Sequence, residues 1–115
     1  MPTIEHVNGS DTKLPFVLKQ NKKLEPLNLN LGAGDSITVL IPGQTTTIVK
    51  KLTDVLTDVT IDSNDRGEFS TELNETDLVK VEKSQNIVVK IKRGGEDIIK
   101  EFQNVLDVIA PSLTE

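Results

Sequence analysis

The chain has 115 residues, a mass of 12.6 kDa and a formal net charge of −5, which bounds it to one ordinary domain. It contains no cysteine, one histidine, three phenylalanines and neither tryptophan nor tyrosine. Disulfides, thiolate metal sites and cysteine nucleophiles are therefore excluded, His6 alone supplies no histidine-based triad or metal cluster, and nucleic-acid binding lacks both its cationic surface and its stacking platforms.

Composition points to a class. Leu, Ile, Val and Phe make up 38 of the 115 residues, well above the range of disordered chains. Val, Ile and Thr total 34, whereas Ala occurs twice. β-Branched side chains lose rotamer freedom in a helix and pack well on a pleated surface, so the balance predicts a mostly β domain. Met1 to His6 carries no basic segment and no apolar run of leader length. The longest apolar runs, Val39 to Ile41 and Ile87 to Val89, fall far short of the ~20 residues that span a membrane.

Period-2 patterning then predicts the elements. Lys13 to Lys19 places Leu14, Phe16 and Leu18 on one face, with Pro15 turned away. Proline donates no ladder hydrogen bond, so this reads as an edge strand or a strand with one free side. Gln20 to Lys23 reads as a turn, Leu27 to Leu31 as a strictly alternating strand that includes Leu29, and Gly32 to Gly34 as a bend. Asp35 to Ile41 resumes with Ile37, Val39 and Ile41 in register, and Pro42-Gly43 is a turn dipeptide. Thr45 to Leu52 reads as a threonine-rich edge strand with solvent-facing lysines.

Val55 to Ile61 alternates as a strand, Asp62 to Gly67 is a polar turn, and Glu68 to Leu73 returns with Phe69 and Leu73 inward. Asn74 to Gln85 is polar and irregular, with one helical turn expected at Asn74 or Thr76. Asn86 to Arg93 places Ile87, Val89 and Ile91 on one face, and Gly94-Gly95 marks a two-residue hairpin. The apolar residues from Ile98 to Ile109 fit a helical spacing, but the hairpin demands a return strand. As a strand this segment needs a bulge near Gln103-Asn104.

Seven to eight short strands with regular turn signals predict an all-β, immunoglobulin-like sandwich over residues 1–110, with 111–115 opening a linker. The predicted core comprises Leu14, Phe16, Leu18, Leu29, Ile37, Val39, Val59, Ile61, Phe69, Ile87, Val89 and Ile91.

Few residues suggest chemistry. Asp62 to Gly67 begins like a calcium loop, but Arg66 occupies position 5 and Leu73 stands where a bidentate Glu is required, so it reads as a hairpin turn. Glu68, Glu72, Glu75 and Asp77 read as a solvated face rather than an acid–base pair. Neither Gly32-Ala-Gly34 nor Gly94-Gly95 has the strand–helix setting of a phosphate cradle. The groups Lys19, Lys22, Lys23 and Lys90, Lys92, Arg93 could meet an anionic partner but read more simply as guards of sheet edges, and His6 reads as an exposed or partly packed terminal residue rather than a ligand. No catalytic residue, metal site or cofactor is expected. Leu40, Leu56 and Val88 fall opposite their strands' main apolar sets: either both faces are covered, or they mark a contact surface. With Lys50 and Lys51 they form the candidate protein-contact surface.

The order of segments resembles a known family. Phe16 to Leu31, with its polar turn and Pro26-Leu27-Asn28-Leu29 element, followed by Ile37 to Ile41, is similar to the opening of the N-terminal domain of phage baseplate upper proteins. Val59 to Phe69 is similar to that family's middle hairpin. Val81 to Ile87 lacks the glycine and aromatic that the family often carries before its penultimate strand. The resemblance implies an immunoglobulin-like, non-enzymatic assembly module in the virion, at the tail tip, joining the baseplate core to the receptor-binding apparatus. Its partners would be other tail and baseplate proteins or further copies of itself. The alternative is an immunoglobulin-like module of a bacterial cell-surface adhesin or carbohydrate-binding protein.

Overall fold

A computed structural model describes residues 3–18, 32 and 34–109. Eight strands and no helix occur among them: β1 (Ile4–Val7), β2 (Thr12–Val17), β3 (Ser36–Ile41), β4 (Ile48–Leu52), β5 (Val59–Ser63), β6 (Glu68–Leu73), β7 (Gln85–Arg93) and β8 (Glu96–Ile109). They form two sheets. One has five strands in the order β1-β8-β7-β3-β4, and the other has three in the order β2-β6-β5. The predicted Leu27 to Leu31 strand with Leu29, the Gln20 to Lys23 turn, and the 111–115 linker lie outside the described residues.

The inner faces of both sheets share one apolar core. Leu14 and Phe16 of β2 and Phe69 and Leu73 of β6 meet Ile37, Val39 and Ile41 of β3 and Ile87, Val89 and Ile91 of β7. Phe16 stacks on Phe69 with centroids 5.2 Å apart and tilts against Phe102 of β8, also at 5.2 Å, so one aromatic cluster ties the two sheets together. Pro15 faces outward on β2, whose one neighbour among the described residues is β6. That placement leaves its missing N–H without cost to a ladder.

The β7–β8 hairpin forms as the glycine pair requires. Gly94 and Gly95 have φ of 58° and 85°, and Arg93 pairs with Glu96. β8 is a strand throughout. Its register against β7 passes from Ile87 opposite Phe102 to Gln85 opposite Leu106, so the extra residues are absorbed at 103–105. Asn104 there has φ 55°, and its N–H donates to the Asn86 side-chain oxygen at 2.9 Å. This bulge turns Val105, Leu106 and Val108 into the core and resolves the helix-like apolar spacing.

Five expectations need correction. β4 begins at Ile48, because the chain turns tightly at Gly43, where any Cβ would collide with the Thr46 carbonyl. β5 begins at Val59 rather than Val55. Thr53 Oγ1 accepts the N–H groups of Val55 and Leu56 at 3.2 and 2.9 Å, which folds residues 53–56 into a turn and leaves Val55 85 % exposed. The Asn74 segment makes a turn at Glu75 and Thr76 instead of a helical turn. His6 is fully buried, because residues 4–7 pair in parallel with β8, His6 opposite Val108, and so become a strand of the larger sheet. Ile61, predicted in the core, is half-buried at its rim.

Candidate interaction surface

The outward face of the five-stranded sheet gathers most of the predicted contact residues. Ile37, Val39 and Ile41 point into the core, so alternation turns Ser36, Thr38 and Leu40 outward. Register then fixes two rows. Val49 of β4, Leu40 of β3, Val88 of β7 and Glu101 of β8 lie side by side, and Lys51, Thr38, Lys90 and Ile99 lie side by side next to them. Leu40 and Val88 are half-buried by their neighbours, whereas Val49 and Ile99 are 44 % and 60 % exposed. Lys92 and Asp97 form an exposed cross-strand pair one row further along. Side chains directly opposite across a ladder touch, so Val49, Leu40 and Val88 form a continuous apolar strip with Ile99 diagonal to it.

Lys51 belongs to this face; Lys50 does not. Its partner in the ladder is the buried Val39, so it points to the inner side at the sheet edge, where its ammonium meets Asp77 at 2.7 Å. Adjacent residues in a strand face opposite ways, so the two lysines cannot line one surface. Leu56 is exposed in the turn after β4 rather than on a strand. Val49, Thr38, Lys90 and Ile99 complete the face. Ile99 was legible once Ile98 and Phe102 were assigned inward; Val49 was legible from the inward Ile48 and Leu52.

At one end of the fold, polar side chains hold the β6–β7 connection. Asn8 Nδ2 donates to the Val79 carbonyl at 2.9 Å, and its Oδ1 accepts the Val79 N–H at 3.1 Å. Gln85 Nε2 donates to the carbonyls of Lys80 and Glu82 at 2.6 and 2.9 Å. His6 Nδ1 lies 2.7 Å from Thr12 Oγ1, while its Nε2 is buried with no hydrogen-bond partner. Burial pushes the imidazole pKa down, with a smaller opposing pull from Asp77. Asp35 is held below the usual carboxylate range by the N–H groups of Gly32 and Gly94, at 2.7 and 3.1 Å. These contacts tie the loops to the strands.

A cleft of about 410 Å³ is lined by Lys13, Lys50, Asp58, Asp62, Ser70 and Glu72, among others. Its charges are of both signs, and Lys50 is already bound to Asp77. Among the described residues no three His, Asp or Glu side chains converge to hold a metal ion. Asp62 and Ser63 end β5, residues 64–67 form the turn to β6, and Glu68 and Glu72 both face outward on β6.

The candidate surface is a mixed apolar and charged sheet face. No protein-family model matches the chain, and no curated protein matches it.

Proposed function

We propose that this chain is a non-enzymatic, immunoglobulin-like assembly module that docks through the outward face of its five-stranded sheet. The observation that carries the reading is the continuous Val49, Leu40 and Val88 strip, with Ile99 beside it, on a face turned away from the core.

The strand order supports the fold family. In immunoglobulin-like sandwiches strands B, E and D share one sheet, C, F and G share the other, and variable-type domains add C′ beside C. On this reading the order β2-β6-β5 corresponds to B-E-D, and β8-β7-β3-β4 to G-F-C-C′. The connections from β2 to β3, β4 to β5 and β6 to β7 each cross between sheets, as Greek-key connectivity requires. The chain departs from antibody domains in lacking their disulfide and tryptophan. The Phe16, Phe69 and Phe102 cluster packs between the sheets.

The resemblance to the N-terminal domain of phage baseplate upper proteins supplies the setting: a virion tail tip, with baseplate core proteins as partners. The test is co-assembly of the full chain with the tail-tip proteins encoded beside it. Leu40→Asp and Val88→Asp variants that retain a β-type circular dichroism spectrum and a cooperative melt are expected to lose co-sedimentation with the assembly. Normal co-sedimentation of these folded variants overturns the docking face, and hydrolytic or transferase activity of the purified chain overturns the non-enzymatic reading.

A further inference from the structure

We propose that the outward face of the five-stranded sheet receives a second copy of this chain, docked face to face about a two-fold axis running near the strand direction. The inference rests on the docking reading above and names its partner.

The charges on the face carry the argument. β8 presents Asp97, Ile99 and Glu101 outward in alternation, an acid on either side of an apolar residue. β4, separated from β8 by two strands, presents Val49 and Lys51. Between them β3 and β7 present Leu40, Thr38, Val88 and Lys90, with Leu40 and Val88 directly opposite each other. An isologous contact brings the same patch from both partners, so a patch fits itself only when complementary features lie on opposite sides of the axis. With the axis between β3 and β7, β4 of one copy crosses β8 of the other. Leu40 then meets Val88 of the second copy, Lys51 meets Ile99 and reaches the acids that flank it, and Val49 lies over Glu101. Each of these contacts occurs twice.

Both signs of charge on one face favour this occupant over a partner of uniform charge. A strongly acidic partner would meet Asp97 and Glu101, and a strongly basic one would meet Lys51, Lys90 and Lys92. The area sets the strength. Four strands about 4.8 Å apart, over three rows of outward side chains, make a patch of roughly 20 by 20 Å. That is about half of what each partner contributes to a standard-size interface, so the dimer is a weak one that forms at high concentration. Copies held together in a larger assembly would experience such a concentration.

The test uses exposed charges, whose substitution leaves the core untouched. Sedimentation equilibrium of the full chain from about 10 µM to about 1 mM is expected to show the mass rising from 12.6 kDa toward the dimer value. Lys51→Glu alone, and Asp97→Lys with Glu101→Lys in a second variant, each place like charges across both ends of the interface. Each is expected to raise the dissociation constant at least tenfold. An equimolar mixture of the two variants restores opposite charges at both ends and is expected to recover wild-type association.

A wild-type chain that stays monomeric at 1 mM overturns the proposal, as do variants that associate like wild type or a mixture that stays monomeric. If the wild type is monomeric while Leu40→Asp still abolishes co-sedimentation with the tail-tip assembly, the second-copy inference falls and the docking face stands. If folded Leu40→Asp co-sediments normally, the docking face itself falls.

Discussion

His6 makes the stability of this fold depend on pH in a defined direction. The ring is 0 % exposed, Thr12 Oγ1 contacts its Nδ1, and its buried Nε2 has no partner to stabilise a proton. The folded-state pKa therefore lies below the ordinary 6.5 that the unfolded chain restores. As pH falls through 6.5 the unfolded state takes up a proton that the folded state refuses. Stability present above 6.5 is lost on acidification until the folded ring titrates too.

While the folded ring stays neutral, the slope approaches one proton, about 1.4 kcal/mol per pH unit. For a domain of this length that corresponds to a fall in melting temperature of roughly 4–6 °C per unit. The assay is urea denaturation from pH 7.5 to 5.0, comparing the wild type with His6→Gln so that carboxylate titrations common to both cancel. The wild-type curve is expected to fall away from that of the variant below pH 6.5. Parallel curves, or a wild type that gains relative stability in acid, would refute the buried, unpaired histidine.

Three further predictions follow from the core, the edge and the bulge. Phe69→Ala removes a fully buried ring stacked on Phe16 and is expected to cost about 3–5 kcal/mol at constant m-value; a loss under 1 kcal/mol would place the ring outside the core. Asp77→Ala strips Lys50 of its 2.7 Å partner and the Asn74 N–H of its acceptor, at an expected cost of about 2 kcal/mol, and adding Lys50→Met should recover much of it in a double-mutant cycle. Asn104→Val forces a β-branched residue into φ 55° and is expected to destabilise by about 1–2 kcal/mol, whereas Asn104→Gly should stay within about 0.5 kcal/mol of wild type in thermal melts.

Local pattern exposed the elements whose burial is periodic. Ile37, Val39, Ile87, Val89 and Ile91 alternate cleanly, and each is buried. The change of phase in the apolar residues after Phe102 pointed to the bulge that Asn104 makes. β1 was hidden because its stability comes from pairing with β8, about a hundred positions away, and four residues containing Glu5 and His6 carry no apolar alternation. Val79 is buried inside a polar connection, held there by Asn8, again a contact that no local period announces. Val55 and Thr57 continued the alternation of Val59 and Ile61, but the Thr53 hydroxyl captures the backbone first and turns the chain.

Part of the contact face was readable and part was not. Leu40 and Val88 showed themselves as apolar residues out of phase with their own strands, and register then proved them to be direct neighbours. Lys50 and Lys51 read as one basic edge because adjacency in sequence suggests adjacency on a surface. The pleat separates them, sending one to Asp77 and the other to the outward face.

The most direct test of the proposed docking face is an amide chemical-shift map of the labelled chain, recorded as its concentration is raised and again on adding the proposed tail-tip partners. The account predicts that the shifts which move cluster on Val49, Lys51, Thr38, Leu40, Val88, Lys90 and Ile99, with β2 and β5 unchanged. Shifts confined to β2, β5 and β6, with β3 and β7 unperturbed, would contradict it.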